Sequence, residues 1–168
     1  RIENQKEELL LNVGIAVQPY LSAKNNKLAW TAYQKHPRWA NKNYSNVIAF
    51  DLETGIKKQL TSHEKLFSPE FSNDGTRLVA VSADEKLQNQ LVLLNATSVK
   101  ITDTLPNPTN DFLSYPKWGA KDKFLFYLAK RNGKIAFFKW DFDSRSARQI
   151  SDWTAHTIGS FSVSEKAL

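Results

Sequence analysis

Residues 60–82, LTSHEKLFSPEFSNDGTRLVAVS, place a strand end, a loop, a strand, a tight turn and a second strand in consecutive positions. Asn73-Asp74-Gly75 is a reversal signal: Gly supplies positive φ without steric cost, and Asp can bond its own backbone two residues on. Ser68-Pro69-Glu70-Phe71-Ser72 runs into the turn, and Arg77 to Ser82 leaves it with the β-branched and apolar content of a strand buried on both faces. The stretch recurs. Pro69 has a counterpart at Pro19, fifty residues earlier, and another at Pro116, forty-seven residues later. An aromatic residue follows each proline (Tyr20, Phe71, Trp118), then a polar turn, then a strand: Lys27 to Ala32, Arg77 to Ser82, Lys123 to Leu128. Such a period implies a row of like supersecondary units.

Each unit continues with a second apolar strand, Asn46 to Asp51, Gln90 to Asn95 and Lys134 to Asp141. A turn follows (Glu53-Thr54-Gly55, Ala96-Thr97-Ser98, Asp143-Ser144-Arg145), then a short polar strand: Lys57 to Thr61, Lys100 to Thr102, Arg148 to Ser151. Short charged strands suit an outer edge that must not pair with a neighbour. Four strands in about 45 residues is the sequence form of a β-propeller blade, so the expected fold is all-β, a propeller segment of four-stranded antiparallel blades. Blades are expected at 14–61, 62–105 and 106–151. Residues 1–13, through Glu7 to Leu11, read as the outer strand of a preceding blade, with a short amphipathic helix as the alternative. Residues 152–168, through Gly159 to Ser162, read as the inner strand of a following one. The connections are too short for the crossover helices of a parallel α/β fold; a two-sheet sandwich is the competing all-β arrangement.

The 168 residues suffice for one domain with a real core, and 41% apolar content favours a globular chain. No run approaches the roughly 18 to 20 apolar residues that span a bilayer, so no membrane span is expected. With no Cys there is no disulfide framework or thiolate metal site, and the absence of Met, even at position 1, predicts an internal piece of a longer chain. The net charge of +6 comes from 23 basic and 17 acidic residues interspersed along the chain. Without a run of like charge this reads as a solvated surface, not a nucleic-acid footprint.

The pattern Leu-Thr, loop, Pro-x-Phe-Ser-x-Asp-Gly-x-x-Leu, later strand, Asp-x-x-Thr-Gly, Leu-Thr resembles the WD40-like repeat of TolB-type propellers. It is clearest in Leu60 to Ser82 and Val47 to Thr61. The first and third units depart from it, with Ala23-Lys24-Asn25-Asn26 and Ala120-Lys121-Asp122-Lys123 in place of the Asp-Gly turn. The resemblance covers nearly the whole chain. It implies a periplasmic or secreted scaffold, or the non-catalytic propeller of a secreted peptidase, and it specifies a fold more than an activity.

In a propeller blade the connections after the second strand and between blades emerge on one face. By that rule Tyr33 to Ser45, Ser62 to Leu66, Ala83 to Asn89, Asp103 to Leu113, Ala129 to Gly133 and Asp152 to Thr157 share a loop face, and function is expected there. They hold all three histidines, His36, His63 and His156, with Arg38, Trp39, Tyr44, Arg131 and Trp153. The histidine spacings match no metal-ligand motif, so no metal or cofactor is expected. His36-Pro37-Arg38-Trp39 has the residue types in which binding energy concentrates. G-x-S-x-G and phosphate-loop signatures are absent, and Asp84, Glu85 and Asp111 read as solvated or turn-forming carboxylates. The expected function is non-catalytic binding of a protein or peptide, with the propeller of a larger hydrolase as the alternative. Since an incomplete ring leaves raw flanks, further blades or self-association are expected to cover them.

Overall fold

The computed structural model describes residues 2–3, 6–7, 9–13, 16–38, 43–62, 64–84, 86 and 88–164, with the backbone alone described at 2–3, 6 and 16–19. The strands are β1 (Ile2–Glu3), β2 (Lys6–Glu7), β3 (Ala16–Lys24), β4 (Lys27–Lys35), β5 (Asn43–Asp51), β6 (Lys57–Gln59) and β7 (Leu66–Phe71), followed by β8 (Arg77–Ala83), β9 (Asn89–Asn95), β10 (Ile101–Leu105), β11 (Phe112–Trp118), β12 (Phe124–Arg131), β13 (Lys134–Asp141) and β14 (Ser146–Gln149). β1 pairs with β2. The others form three four-stranded meanders in chain order, β3 to β6, β7 to β10 and β11 to β14. These are blades of a partial β-propeller, and a sandwich is excluded because the apolar layers lie between successive meanders.

The pleat explains how. Alternate residues of a strand face opposite sides, so a central blade needs two apolar faces. In the second blade Leu78, Ala80, Val92 and Leu94 pack with Ala29 and Val47 of the first, while Val79, Val81, Leu91 and Leu93 pack with Leu125, Tyr127 and Trp118 of the third.

Short-range chemistry repeats with the blades. Asp51 Oδ1 accepts the N–H groups of Glu53 and Thr54, Asn95 Oδ1 those of Thr97 and Ser98, and Asp141 Oδ1 those of Asp143 and Ser144. The next residue in each case, Leu52, Ala96 or Phe142, donates its N–H to the carbonyl of Asn26, Thr76 or Lys123 at 2.7, 2.9 and 3.1 Å. In the inner strands Ser68 and Tyr115, each before its proline, take left-handed φ of 49° and 51° at matching bulges.

The first blade departs from the other two. Its hairpin is a two-residue turn, Asn25-Asn26, with φ of 47° and 57° at both positions, a geometry that follows strand twist. The bulge compensates: β3 advances five residues, Ala16 to Leu21, while β4 advances two. Ser22, not Tyr20, is therefore the register counterpart of Glu70 and Lys117.

Three expectations are corrected. Glu7 to Leu11 is not one strand: Glu7 ends β2, and Leu9 to Leu11 lie outside any ladder. Leu11 instead packs on Trp30, Ile48 and Phe50, whose exposures are 2%, 6% and 9%. Trp30 Nε1 donates to the carbonyl of Val13, and Lys57 Nζ to that of Asn12. The first flank is thus covered by its own chain. Gly159 to Ser162 forms no strand either, but Phe161 meets Phe137 edge to face at 5.1 Å and Lys139 Nζ stands 3.5 Å from the Phe124 ring centroid, covering part of the third blade's outer face. Ala129 to Gly133 is not a long connection. Arg131 pairs with Lys134 around the two-residue turn Asn132-Gly133, because Asn and Gly both accept left-handed φ.

Candidate binding face

The connections β4–β5, β6–β7, β8–β9, β10–β11 and the segment after β14 share one end of the blades. On the first blade, the last residues of β4 and the first of β5 bring His36 and Tyr44 together, ring centroids 5.7 Å apart, and Arg38 N–H donates to His36 Nδ1 at 3.1 Å. Arg38 is exposed. Below them Asn46 accepts the Glu64 N–H on Oδ1 and donates to Gln34 Oε1, and Ser45 N–H donates to Glu64 O, so the base of this loop pair is tied to the next connection. Trp39 and His63 lie outside the described residues.

On the third blade Arg131 reaches back to Asp111, Nε to Oδ1 at 2.6 Å and Nη2 to Oδ2 at 2.7 Å, and its guanidinium lies over the Trp153 ring at 4.9 Å. Trp153 meets Phe138 edge to face at 5.9 Å, and Phe138 stacks on Tyr127. His156 N–H donates to Thr154 Oγ1, and Thr154 forms an isolated bridge with Ile135. The bidentate hydrogen bonds from Arg131 hold the Asp111 carboxyl below its ordinary value. Desolvation pushes the Tyr127 hydroxyl up to about 12, with the Asp111 charge adding to it. Asp111 is 5% exposed, not a solvated loop carboxylate. Arg131 and Trp153 are thus brought together with Asp111, while His156 is tied through its backbone to Thr154, and His36, Arg38 and Tyr44 form a second group on the first blade.

Two further clusters escaped the sequence reading. At the inner strands Tyr20 hydroxyl donates to Glu70 Oε2 at 2.6 Å, Lys117 Nζ meets the same oxygen at 3.2 Å, and Lys117 stands 4.8 Å from the Tyr20 ring centroid. One residue from each blade therefore closes a knot around the propeller axis. Burial, with Glu70 beside it, pushes the Tyr20 hydroxyl well above its ordinary range. The signal was present in each Pro-x pair, since a polar residue directly after the proline of an inner strand points to the axis. On the opposite end, Asp122, left-handed at φ 56°, accepts the N–H groups of Asn73 and Asp74 and the Asn73 side-chain amide. This end is closed by turns that clasp one another.

No family model and no curated protein matches the chain. Among solved structures it is similar to Pyrococcus horikoshii acylaminoacyl peptidase, at 14% identity and TM-score 0.63 over 81% of this chain and 25% of that one. It is also similar to TolB from Acinetobacter baumannii, at 17% identity and TM-score 0.61 over 76% of this chain and 30% of that one. The β-propeller domain of the Trilobed protease from Pyrococcus furiosus gives 16% identity and TM-score 0.56 over 81% and 44%. The chain spans less than half the length of each. At these identities the likeness defines the fold: this is part of a β-propeller of the kind found in TolB and in propeller domains of peptidases.

Proposed function

We propose that this chain is a non-catalytic binding module that presents its loop face to a protein or peptide. The observation that carries the reading is the division between its two ends. One gathers His36, Arg38, Tyr44, Arg131 and Trp153, while at the other the inner turns bond to one another. Tyr, Trp and Arg are the residue types in which interface energy concentrates. Lys35, Lys86, Lys130 and Lys134 stand beside those connections and outnumber Glu64, Asp84 and Asp152 among them, which favours an acidic partner segment. The likeness to TolB supports a periplasmic or secreted location and a scaffold role, with further blades or a second copy extending the arc. The likeness to acylaminoacyl peptidase supports a second reading, the propeller of a larger hydrolase whose catalytic groups lie outside these residues.

The test is fluorescence polarisation with labelled acidic peptides chosen by display selection on the wild-type chain. The Arg38→Ala, Trp39→Ala double variant is expected to lose binding with an unchanged circular dichroism spectrum. Undiminished binding would move the site off the loop face.

A further inference from the structure

The two junctions between blades are built from equivalent positions but filled differently. Cross-strand register pairs Lys27 with Asp51, Arg77 with Asn95 and Phe124 with Asp141, so Lys27 of the first blade corresponds to Arg77 of the second. Phe71 and Trp118 correspond likewise, opposite Leu78 and Leu125. Ala96 and Phe142 correspond through their shared N–H bonds to Thr76 and Lys123. Between the second and third blades the position is full. Phe142 stacks on Trp118 at 5.6 Å and 16°, and the Arg77 guanidinium lies 4.6 Å from the Trp118 centroid and 5.7 Å from that of Phe142. Between the first and second blades Phe71 replaces Trp118 and Ala96 replaces Phe142, and there a cavity of about 330 Å³ opens. Its walls include Ala49, Ile56 and Leu60 as well as Phe71 and Ala96.

We propose that this cavity is a binding site for a small aromatic carboxylate, with its ring in the place that Phe142 occupies one junction on. A dry apolar cavity of roughly 150 Å³ already holds benzene, and small-molecule sites begin near 300 Å³, so the space takes a ring and a short acid tail. Lys27, in the position of Arg77, faces the ring as a cation. Lys58 lines the same cavity and meets the carboxylate. The one acidic wall residue, Asp51, is held ionised by the N–H groups of Thr54 and Glu53 on its Oδ1, and its charge faces Lys27 across the strand pair, so the carboxylate of the ligand lies toward Lys58. The site sits on the turn face and is independent of loop-face binding.

Titration of the isotopically labelled chain with phenylacetate, followed by amide NMR, tests this. Saturable shifts are expected at 49–58 and at Ala96. Ala96→Phe rebuilds the filled junction and abolishes them. The double variant Lys27→Gln, Lys58→Gln, altered at the rim of the cavity, retains the fold and weakens binding; loss of the cation over the ring accounts for roughly two- to fivefold of that, and the neutral isostere phenylacetamide binds wild type correspondingly weakly. No saturable shift at these residues, undiminished binding in Ala96→Phe, or equal binding of phenylacetate to wild type and the lysine variant would overturn the proposal.

Discussion

Arg131 and Asp111 meet through two parallel N–H···O bonds across the base of the third blade, at 2.6 and 2.7 Å, and the same guanidinium covers the Trp153 ring. One side chain therefore joins the connection before β11, the end of β12 and the segment after β14. Removing Asp111 leaves Arg131 without its ion-pair partner and loosens the guanidinium that covers Trp153.

Asp111→Asn is expected to lower the urea midpoint at pH 7 and to red-shift tryptophan emission, since the Trp153 ring that Arg131 covers becomes wetter. The pH dependence has a fixed sign. The folded-state pKa of Asp111 lies below its unfolded value of about 3.9, so its contribution is complete above that value and drains away as pH falls toward the folded value. The gap between wild type and variant should narrow from pH 5 to pH 3. A constant gap would mean that the ion pair adds nothing.

At the other end, Asp74 accepts Ser72 Oγ at 2.6 Å and both the N–H and the hydroxyl of Thr76, which brings its pKa down to about 2. Asp74→Asn should remove stability that wild type holds above about pH 4 and loses as pH falls toward 2. Acid titrations of both proteins by circular dichroism check this: superimposable acid limbs would contradict it.

Gly75 is left-handed at φ 72°, and a Cβ there would stand 2.7 Å from Asn25 Nδ2. Gly75→Val is expected to cost roughly 1 to 2 kcal/mol on conformational grounds. Gly75→Ala in an Asn25→Ala background should recover only the contact part of the cost. Full recovery in thermal melts would show that the backbone is not the cause.

The blade pattern was legible because it is local. β13 was read at Lys134 to Asp141 without change, and the Asp51, Asn95 and Asp141 turns follow from side chains bonding within three residues. What escaped reading was non-local. The first blade trades two turn residues for two bulge residues, which leaves the Pro19 alignment looking intact while Ser22 takes the register position of Glu70. The Asp111–Arg131 pair joins a connection to the end of β12, twenty residues on, and a buried carboxylate in a loop looks like a solvated one until its partner is placed. Leu11 was read as strand because Leu-rich segments carry no mark distinguishing a ladder from a cap.

That cap makes its own prediction. Trp30→Ala, at a site 2% exposed, should cost about 3 kcal/mol or more. Leu11→Asp should raise binding of a hydrophobe-sensing dye and the scattering mass, because the flank of Trp30, Ile48 and Phe50 is uncovered. Unchanged dye binding and mass would mean that residues 9–13 do not shield the first blade.

The most direct test of the binding-face account is hydrogen–deuterium exchange of the chain with and without a selected acidic peptide. Protection is expected in 36–44 and 150–156, with the turns at 51–56 and 72–76 unaffected. Protection confined to those turns, with the loop segments unchanged, would contradict the account.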